Sequence, residues 1–425
     1  MNTLDHWLTK LEALDITRIE LGLDRVSAVL NRLTLFADHR PYVITVAGTN
    51  GKGSSVALLE AILIAQGYRV GAYTSPHLHH YTERVRLDGK PVGEQQMAAA
   101  LNAVEQERGD IPLTYFEFTT LAALQIFDQA KLDVVILEVG LGGRLDAVNA
   151  VDADLALITT ISVDHADWLG NDIETIGYEK AGIMRPGKVA VFAGRHCPSS
   201  VVKTATDLGV KLYRAGVEYQ VASEGDCFTL NLPDGRLGHW PRPALQGEHQ
   251  IDNAAGVLVA LAQLPESLVV TPAAIKQGLR TVRHAGRSEF FDVDGVTVLL
   301  DVAHNEEGAA ALAQMIRQWR QEHDGRVLAV FSALADKNIP GMIHQLADQI
   351  EQWWLAPLTG PRGLSLNTLV ERVRHVLNLQ TIHCESDPLS AYNCALMTAR
   401  PGDLVVVFGS FLIVSAVHDT LTTGK

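Results

Sequence analysis

The residues best suited to chemistry form a glycine-rich segment, Gly48-Thr49-Asn50-Gly51-Lys52-Gly53-Ser54. It follows the β-branched run Tyr42–Ala47 and precedes the helix-like stretch Val56–Ala65. Glycines in such a turn let backbone N–H groups point at phosphate oxygens, while the helix dipole and a lysine add positive potential. The spacing departs from G-x-x-x-x-G-K-[ST] because Gly53 follows Lys52. We predict a nucleotide-phosphate site, and the alternative is an ordinary strand-to-helix turn with a solvated lysine.

A metal-binding carboxylate is expected beside this loop. Nucleoside triphosphates are used with Mg²⁺, which prefers carboxylate, hydroxyl and water oxygens. Glu138 ends the apolar run that starts at Asp133, and the carboxyl ends of parallel strands meet at one sheet edge. Glu138 is therefore the candidate ligand. The histidines of His77-Leu78-His79-His80 have neither zinc-finger nor HExxH spacing, so we interpret them as polar loop residues.

The elements that position these groups alternate between strands and helices. A chain of 425 residues suggests two or three domains of roughly 150 residues each. Alternating short apolar runs and helical stretches predict a parallel sheet covered by helices. Its predicted strands are Tyr42–Ala47, Arg69–Tyr73, Asp133–Glu138, Leu155–Thr159 and Lys188–Phe192. The shorter alternation from Leu212 to Leu232, with the turn Pro233-Asp234-Gly235, predicts a small antiparallel side sheet.

A second α/β series follows. Its predicted strands are Val296–Leu300, Val327–Phe331, Trp353–Ala356, Thr381–His383 and Leu404–Phe408, with amphipathic stretches such as Ala309–Arg320 between them. We predict a first domain over 1–284, a linker over 285–293 and a smaller α/β domain over 294–425. A cleft between the two domains is the expected ligand site.

Composition narrows the class of protein. Lys and Arg number 35 against 49 Asp and Glu, which gives a net charge of −14 and disfavours nucleic acid and anionic membranes as partners. No stretch reaches the ~20 apolar residues that span a bilayer. The four cysteines, Cys197, Cys227, Cys384 and Cys394, form no CxxC pair. We expect a cytoplasmic protein with reduced thiols and no nucleic-acid or membrane partner.

The loop Gly48–Ser54 resembles that of the folylpolyglutamate synthase family in the Mur ligase superfamily, in which peptidoglycan ligases usually run Gly-Lys directly into Thr or Ser. Further matching segments are Tyr73-Thr-Ser-Pro-His-Leu78, Thr114-Tyr-Phe-Glu-Phe-Thr119, Leu137-Glu-Val-Gly-Leu-Gly-Gly-Arg-Leu-Asp146 and Asp301-Val-Ala-His-Asn305. The resemblance covers essentially the whole chain. It implies a P-loop domain with a mostly parallel sheet and a small antiparallel side sheet, followed by a smaller Rossmann-like α/β domain.

The resemblance also implies site residues. ATP would contact Gly48, Thr49, Asn50, Gly51, Lys52, Gly53, Ser54, Asn253, Arg287 and Asp301. Magnesium, as two ions, would be held by Ser75, Glu138, His165 and Lys180, the last as a CO₂ carbamate, and a potassium ion is a further candidate. Lys52, Lys180 and His304 are the expected catalytic residues. Histidine is an unusual magnesium ligand, and Ser288 stands where the family commonly has an aromatic residue.

The resemblance places the folate site on three segments. They are Glu20-Leu21-Gly22-Leu23, Thr114-Tyr115-Phe116-Glu117 and Leu145-Asp146-Ala147. Glu20 replaces the Asp of the family's D-L-G-L segment. On chemistry alone these residues would be core aromatics and helix caps. Lys337 is a candidate phosphate or glutamate contact, and a solvated loop lysine is an equal alternative.

The implied activity is an ATP-dependent ligation through an acyl phosphate. L-glutamate would be joined to dihydropteroate, forming dihydrofolate, and further glutamates to the γ-carboxylate of reduced folates. A monomeric enzyme is expected. Three alternatives stay open: a monofunctional folylpolyglutamate synthase, a peptidoglycan-precursor ligase of the same superfamily, and a non-enzymatic nucleotide-binding module.

Overall fold

The computed structural model describes residues 3–14, 20–232 and 237–423. The chain divides into two compact units. The first comprises Met1–Ala244 and Gln250–Arg283, and the second Leu245–His249 and His284–Lys425. Each unit is built around its own sheet, so the α/β class expected from the strand and helix pattern is confirmed.

The first unit contains an eight-stranded sheet. Its strands are β1 (Tyr42–Ala47), β2 (Val70–Tyr73), β3 (Val85–Leu87), β4 (Lys90–Pro91), β5 (Val134–Glu138), β6 (Leu155–Ile158), β7 (Val189–Phe192) and β8 (Lys211–Arg214). They are ordered β4-β3-β2-β5-β1-β6-β7-β8. All neighbours pair in parallel except β2 with β3 and β3 with β4. The five predicted strands of this sheet are therefore present, each within one residue of its predicted bounds at either end.

Helices connect these strands. They are α1 (Leu4–Ala13), α2 (Asp24–Leu33), α3 (Lys52–Gln66), α4 (Glu94–Arg108), α5 (Tyr115–Ala130), α6 (Ala166–Leu169), α7 (Ile173–Ala181), α8 (Ser199–Asp207), α9 (His249–Leu261) and α10 (Pro272–Thr281). Both α3 and α5 are largely buried, and β1 and β5 lie wholly in the interior apart from Tyr42. Apolar runs without alternation are expected for strands covered on both faces.

The antiparallel side sheet is also present. It consists of β9 (Gln220–Glu224), β10 (Cys227–Asn231) and β11 (Leu237–Pro241), in the order β11-β10-β9. One part of the predicted segment belongs elsewhere, because β8 pairs in parallel with β7 at the edge of the large sheet. The predicted turn Pro233-Asp234-Gly235 lies outside the described residues.

The second unit contains a six-stranded sheet ordered β12-β13-β17-β14-β15-β16. Its strands are β12 (Glu289–Val293), β13 (Val296–Asp301), β14 (Val327–Phe331), β15 (Gln352–Leu355), β16 (Ile382–Cys384) and β17 (Leu404–Phe408). Its helices are α11 (Glu306–Glu322), α12 (Ile339–His344), α13 (Leu366–Val373), α14 (Pro388–Thr398) and α15 (Phe411–Thr423). Strand β12 pairs antiparallel with β13 and lies within the segment predicted as the linker.

Local sequence explains where several helices begin. Thr114, Asp172, Thr271, Asn305, Ser365 and Asp387 each accept a hydrogen bond from a first-turn amide of the helix that follows. In the part of the chain that the structure describes, no helix has the length and apolar character needed to cross a membrane.

Candidate active site

The glycine-rich loop lies where the order of the large sheet reverses. Strand β1 is flanked by β5 on one side and β6 on the other, and all three run in parallel. Ligands of open α/β sheets bind at the carboxyl ends of strands at such a switch point. Gly48, Glu138 and Thr159 end or follow these three strands, so they share this edge.

Two glycines of the loop have conformations that a side chain would oppose. Gly48 has φ 149°, and a Cβ there would clash with Thr159 Oγ1. Gly51 has φ 86° and precedes α3, and a Cβ there would lie 2.5 Å from Asn253 Oδ1. The loop thus packs too closely against its neighbours to admit even alanine at either position.

The segment after β6 fixes the loop. Thr49 N donates to Thr160 O at 2.7 Å, and Thr49 Oγ1 donates to Ser162 O at 3.0 Å. Thr159 Oγ1 donates to Asn50 O at 2.6 Å, and Asn50 N donates to Thr160 Oγ1 at 3.2 Å. With the amides of Thr49 and Asn50 engaged, the first turn of α3 supplies the N–H groups that can face an anion.

Two lysines converge on the loop. Lys52 Nζ donates to Gly48 O at 3.0 Å and to Thr49 O at 3.1 Å. Lys180, on α7, donates to the same Gly48 oxygen at 2.9 Å, and its side chain is 4% exposed. The predicted catalytic lysines are therefore adjacent at the phosphate loop, although they are 128 positions apart in sequence.

Asn253 also reaches the loop. Its Nδ2 donates to Gln250 Oε1 at 3.0 Å, and Gln250 Nε2 donates to Ser54 Oγ at 3.3 Å. All three side chains are buried. This chain of hydrogen bonds ties α9 to the first turn of α3, which places the predicted nucleotide contacts Asn253 and Ser54 together.

The predicted metal ligands Ser75 and Glu138 are neighbours. Ser75 N donates to Glu138 Oε2 at 3.2 Å, and the Glu138 side chain is buried. His165 follows β6 with φ 51°, and its carbonyl accepts from Trp168 N and Leu169 N at the start of α6. The described residues contain no group of three or more His, Cys, Asp and Glu side chains placed to hold a metal.

This donor set fits magnesium. Glu138 offers a buried carboxylate and its neighbour Ser75 carries a hydroxyl group, and both are the hard oxygen ligands that Mg²⁺ prefers. In nucleotide enzymes Mg²⁺ also keeps several waters and phosphate oxygens. One or two protein oxygens are then sufficient, whereas a zinc cage would need four donors.

The predicted folate segments contact one another. Gly22 N donates to Leu145 O at 3.4 Å. Arg25, on α2, joins Glu20 through Oε2 at 2.8 Å and Glu117 through Oε1 at 3.1 Å. Glu117 Oε2 also accepts from Thr114 N at 2.7 Å in a capping box at the start of α5. Both oxygens of Glu117 thus have partners within the protein. Leu21 is exposed, and Leu23 precedes α2.

Asp146 is a buried carboxyl group. It accepts from Leu141 N at 2.8 Å and from Val148 N at 3.0 Å, and it precedes the 3-10 helix Ala147–Ala150. Burial raises the pKa of Asp146 to about 6, although backbone hydrogen bonds and Lys52 oppose this shift. Asp146 therefore caps this 3-10 helix, which is the structural role that sequence chemistry alone predicted.

Aromatic side chains surround an arginine that sequence reasoning missed. Arg84 lies 5.3 Å from the Tyr115 ring and 5.7 Å from the Tyr81 ring. Its Nε donates to His77 Nδ1 at 2.9 Å, and burial followed by the Arg84 charge lowers the pKa of His77 to about 4, which keeps that imidazole neutral. Phe116 packs against Gly140, where a Cβ would lie 2.7 Å from its ring.

Arg25 is the second arginine that was missed. Its position two residues after Glu20–Leu23 was a signal that could have found it, because a cation near a predicted carboxylate is a natural partner. The contact of Arg84 with the predicted folate residue Tyr115 carried no comparable signal, since these two residues are distant in sequence.

The remaining predicted residues lie in the second unit. Ser288 N and Oγ donate to Asp301 Oδ2 at 2.8 and 2.9 Å, and Ala303 N donates to Asp301 Oδ1 at 2.7 Å. Arg287 lies 5.3 Å from the Phe411 ring. His304 Nδ1 is 2.9 Å from Val302 O, so that nitrogen carries the hydrogen. Lys337 is buried and lies 3.7 Å from Asp336.

The fold and this site define a class: α/β enzymes that bind a nucleotide on a glycine-rich strand-to-helix loop. Two family models match the chain. The Mur ligase middle domain matches residues 46–261, and the Mur ligase glutamate ligase domain matches residues 286–411.

Two curated relatives carry the name dihydrofolate synthase/folylpolyglutamate synthase. The Escherichia coli protein is 42% identical over 98% of this chain and 95% of its own length. The Haemophilus influenzae protein is 38% identical over 96% of this chain and 95% of its own length. The chain belongs to the Mur ligase family, in its dihydrofolate synthase/folylpolyglutamate synthase branch. The resemblance noted from the motifs is therefore confirmed.

Solved structures agree. E. coli FolC in complex with DHPP and ADP has a TM-score of 0.92 at 42% identity, over 100% of this chain and 98% of that one. The Yersinia pestis bifunctional enzyme complexed with AMPPNP and Mn ion has a TM-score of 0.90 at 44% identity, over 99% and 98%. A bifunctional enzyme with Mn, AMPPNP and L-glutamate bound has a TM-score of 0.89 at 43% identity, over 99% and 98%.

Proposed function

We propose that this chain joins L-glutamate to dihydropteroate, forming dihydrofolate, and adds further glutamates to the γ-carboxylate of reduced folates. Each ligation uses ATP and a divalent metal ion. The observation that carries the proposal is the phosphate loop with Lys52 and Lys180 on one carbonyl, at the same sheet edge as Glu138. Relatives with nucleotide, metal, DHPP or L-glutamate bound support it.

The nucleotide contacts follow from the loop. The amides at the start of α3 and the Lys52 ammonium would bind the phosphates, and Asn253 would contact the nucleotide beside Ser54. Arg287 would reach the terminal phosphate. Asp301 Oδ2 already accepts two hydrogen bonds, whereas Oδ1 accepts one, so a ribose hydroxyl would donate to Oδ1.

Ser75, Glu138 and His165 would bind magnesium, with two ions in all. Bound magnesium offsets the negative charge of the phosphates and of the incoming carboxylate. Lys180, buried against Gly48, would react with CO₂ to give a carbamate that adds a carboxylate-like ligand. Its N–H can keep the hydrogen bond to Gly48 O after carbamylation. A potassium ion is a further candidate.

The reaction then proceeds in two steps. The pteroate or γ-glutamyl carboxylate attacks the γ-phosphorus of ATP, and the bond to the leaving oxygen of ADP breaks, which gives an acyl phosphate. The neutral amine of L-glutamate attacks the acyl carbon, phosphate leaves, and the amine loses a proton to a base. In the first step, Lys52, Arg287 and the loop amides contribute mainly by positioning and by electrostatic stabilisation. His304 would act in this step too.

The folate site would lie on the contacting segments Glu20–Leu23, Thr114–Glu117 and Leu145–Ala147. Tyr115 and Phe116 offer aromatic faces to a pterin ring. Because Glu117 is paired with Arg25 and the Thr114 amide, we assign it to shaping this site rather than to contacting the pterin. Arg84, whose terminal nitrogens have no acceptor among the described residues, would donate to an anionic or carbonyl oxygen of the ligand.

We assign residues 1–284 to nucleotide and folate binding and 294–425 to the second domain, joined by 285–293. A cytoplasmic location and a monomeric state complete the proposal. Lys337, buried beside Asp336, would contact phosphate or glutamate.

The test is phosphate release by the full chain with ATP, Mg²⁺ and L-glutamate. Stoichiometric phosphate and product are expected with dihydropteroate and also with tetrahydrofolate as acceptor. Extension of tetrahydrofolate alone would make the enzyme monofunctional. Nucleotide binding without acceptor-dependent phosphate release would refute the ligase assignment.

A further inference from the structure

The aromatic ring of Phe411, which belongs to none of the predicted motifs, lies near two predicted site residues of the second unit. Phe411 begins α15, directly after β17 and the turn at Gly409 and Ser410. The Arg287 guanidinium lies 5.3 Å from its ring centroid. The His304 ring lies 6.3 Å from it, at an interplanar angle of 43°.

The Arg287 turn is fixed on its other side by hydrogen bonds. Ser288, with φ 49°, is held by Asp301 through both its amide and its hydroxyl. Val302 N donates to Gly286 O at 3.0 Å. These bonds fix the backbone around Arg287, and the Phe411 ring contacts the guanidinium at the end of its side chain.

We propose that Phe411 is a positioning residue that holds the Arg287 guanidinium in the direction of the terminal phosphate of ATP. This inference rests on the proposed function of Arg287. A guanidinium near an aromatic face is attracted by the ring quadrupole, which an aliphatic side chain lacks.

The test compares nucleotides that differ in the terminal phosphate. Phe411→Leu keeps most of the volume and removes the ring, so AMPPNP binding should weaken about three- to thirtyfold, the range of a cation–π contact. ADP binding should change by less than about twofold, because Arg287 would reach only the terminal phosphate. Phe411→Tyr should restore AMPPNP affinity. Phe291→Leu is the matched control, since Phe291 contacts His418 of the same helix.

A double-mutant cycle separates positioning from a general packing effect. In an Arg287→Ala background, Phe411→Leu should no longer weaken AMPPNP binding. An equal loss for ADP and AMPPNP, or a loss that persists without Arg287, would overturn the inference. These are binding measurements, so they test the role of Phe411 independently of the proposed ligation. If ligation is absent but AMPPNP binding still depends on Phe411, only the proposed activity is rejected.

Discussion

Lys52 and Lys180 donate to one backbone oxygen, that of Gly48, at 3.0 and 2.9 Å. While Lys180 is unmodified, two ammonium groups on one carbonyl concentrate positive potential at the loop, within a chain whose net charge is −14. Attraction of an anionic nucleotide is therefore a local property of this edge of the sheet, where lysines and helix amides meet.

Lys52→Ala should lower kcat/KM for ATP by about 10²- to 10³-fold, the usual cost of removing one donor to a charged transition state. Folding should be little changed, because Lys52 is at the start of α3 and only partly buried. Lys203→Ala is the matched control, since Lys203 is an exposed lysine paired with Asp207. Undiminished ligation by Lys52→Ala would remove the lysine from the nucleotide site.

Enzyme prepared and assayed without CO₂ should regain activity when bicarbonate is added, because a carbamate on Lys180 forms only from a free amine and CO₂. Initial rates against bicarbonate concentration measure this dependence. Lys180→Ala should be inactive at every bicarbonate level. Electron density of an unmodified Lys180 in an ATP-bound crystal would contradict the carbamate.

Gly48→Ala should abolish nucleotide binding and lower the free energy of unfolding by more than about 2 kcal/mol, because the added Cβ meets Thr159 and φ is 149°. Denaturant unfolding and AMPPNP titration measure the two effects. Gly93→Ala is the control: apart from its chain neighbours, no described residue lies within 4 Å of the added Cβ. Equal behaviour of the two variants would mean that the loop can shift to admit a side chain.

Arg25→Ala should raise KM for dihydropteroate by about tenfold while changing KM for ATP by less than about twofold. The buried Glu117 loses its charged partner, and a broken partly buried pair disturbs the segments it joins by about 1–3 kcal/mol. Arg32→Ala, on the same helix α2, is the control, because Arg32 donates to the backbone oxygens of Glu107 and Arg108 and to no other described residue. Equal effects on both substrates would argue against a folate-side role.

Asp146 should make stability depend on pH. Its pKa in the folded chain, about 6, lies above the ordinary 3.8, so its contribution to stability is fully present below about pH 4 and is lost as pH rises through about 6. The loss is at most about 3 kcal/mol. The Asp146→Asn variant cannot ionise at this position. The wild type should therefore lose stability relative to this variant as the pH rises from 4 to 7. A pH-independent difference in urea unfolding would contradict the raised pKa.

Sequence reasoning located the features that are local. The glycines, Lys52 and the flanking strand and helix all lie within one stretch, so the loop and its neighbouring strand Tyr42–Ala47 were predictable. The position of Glu138 at the end of a strand was predictable by the same reasoning.

Distant pairings were not predictable in this way. Arg25 pairs with Glu117 across 92 positions, and Lys180 reaches Gly48 across 132, so only the family resemblance pointed to Lys180. Strand β12 was missed because Glu289–Val293 is short and only half-buried, which left no continuous apolar run to recognise.

The placement of β1 at the centre of its sheet has a consequence for synthesis on the ribosome. Both of its partners come much later in the chain, and Thr159 contacts Ala47 across 112 positions. At about 5–20 residues per second, the nascent strand waits roughly 4–18 s for β5 with both edges unpaired. An apolar strand in that state can pair with other chains. During this interval no nucleotide can bind yet, and the nascent chain is most exposed to aggregation through the unpaired strand.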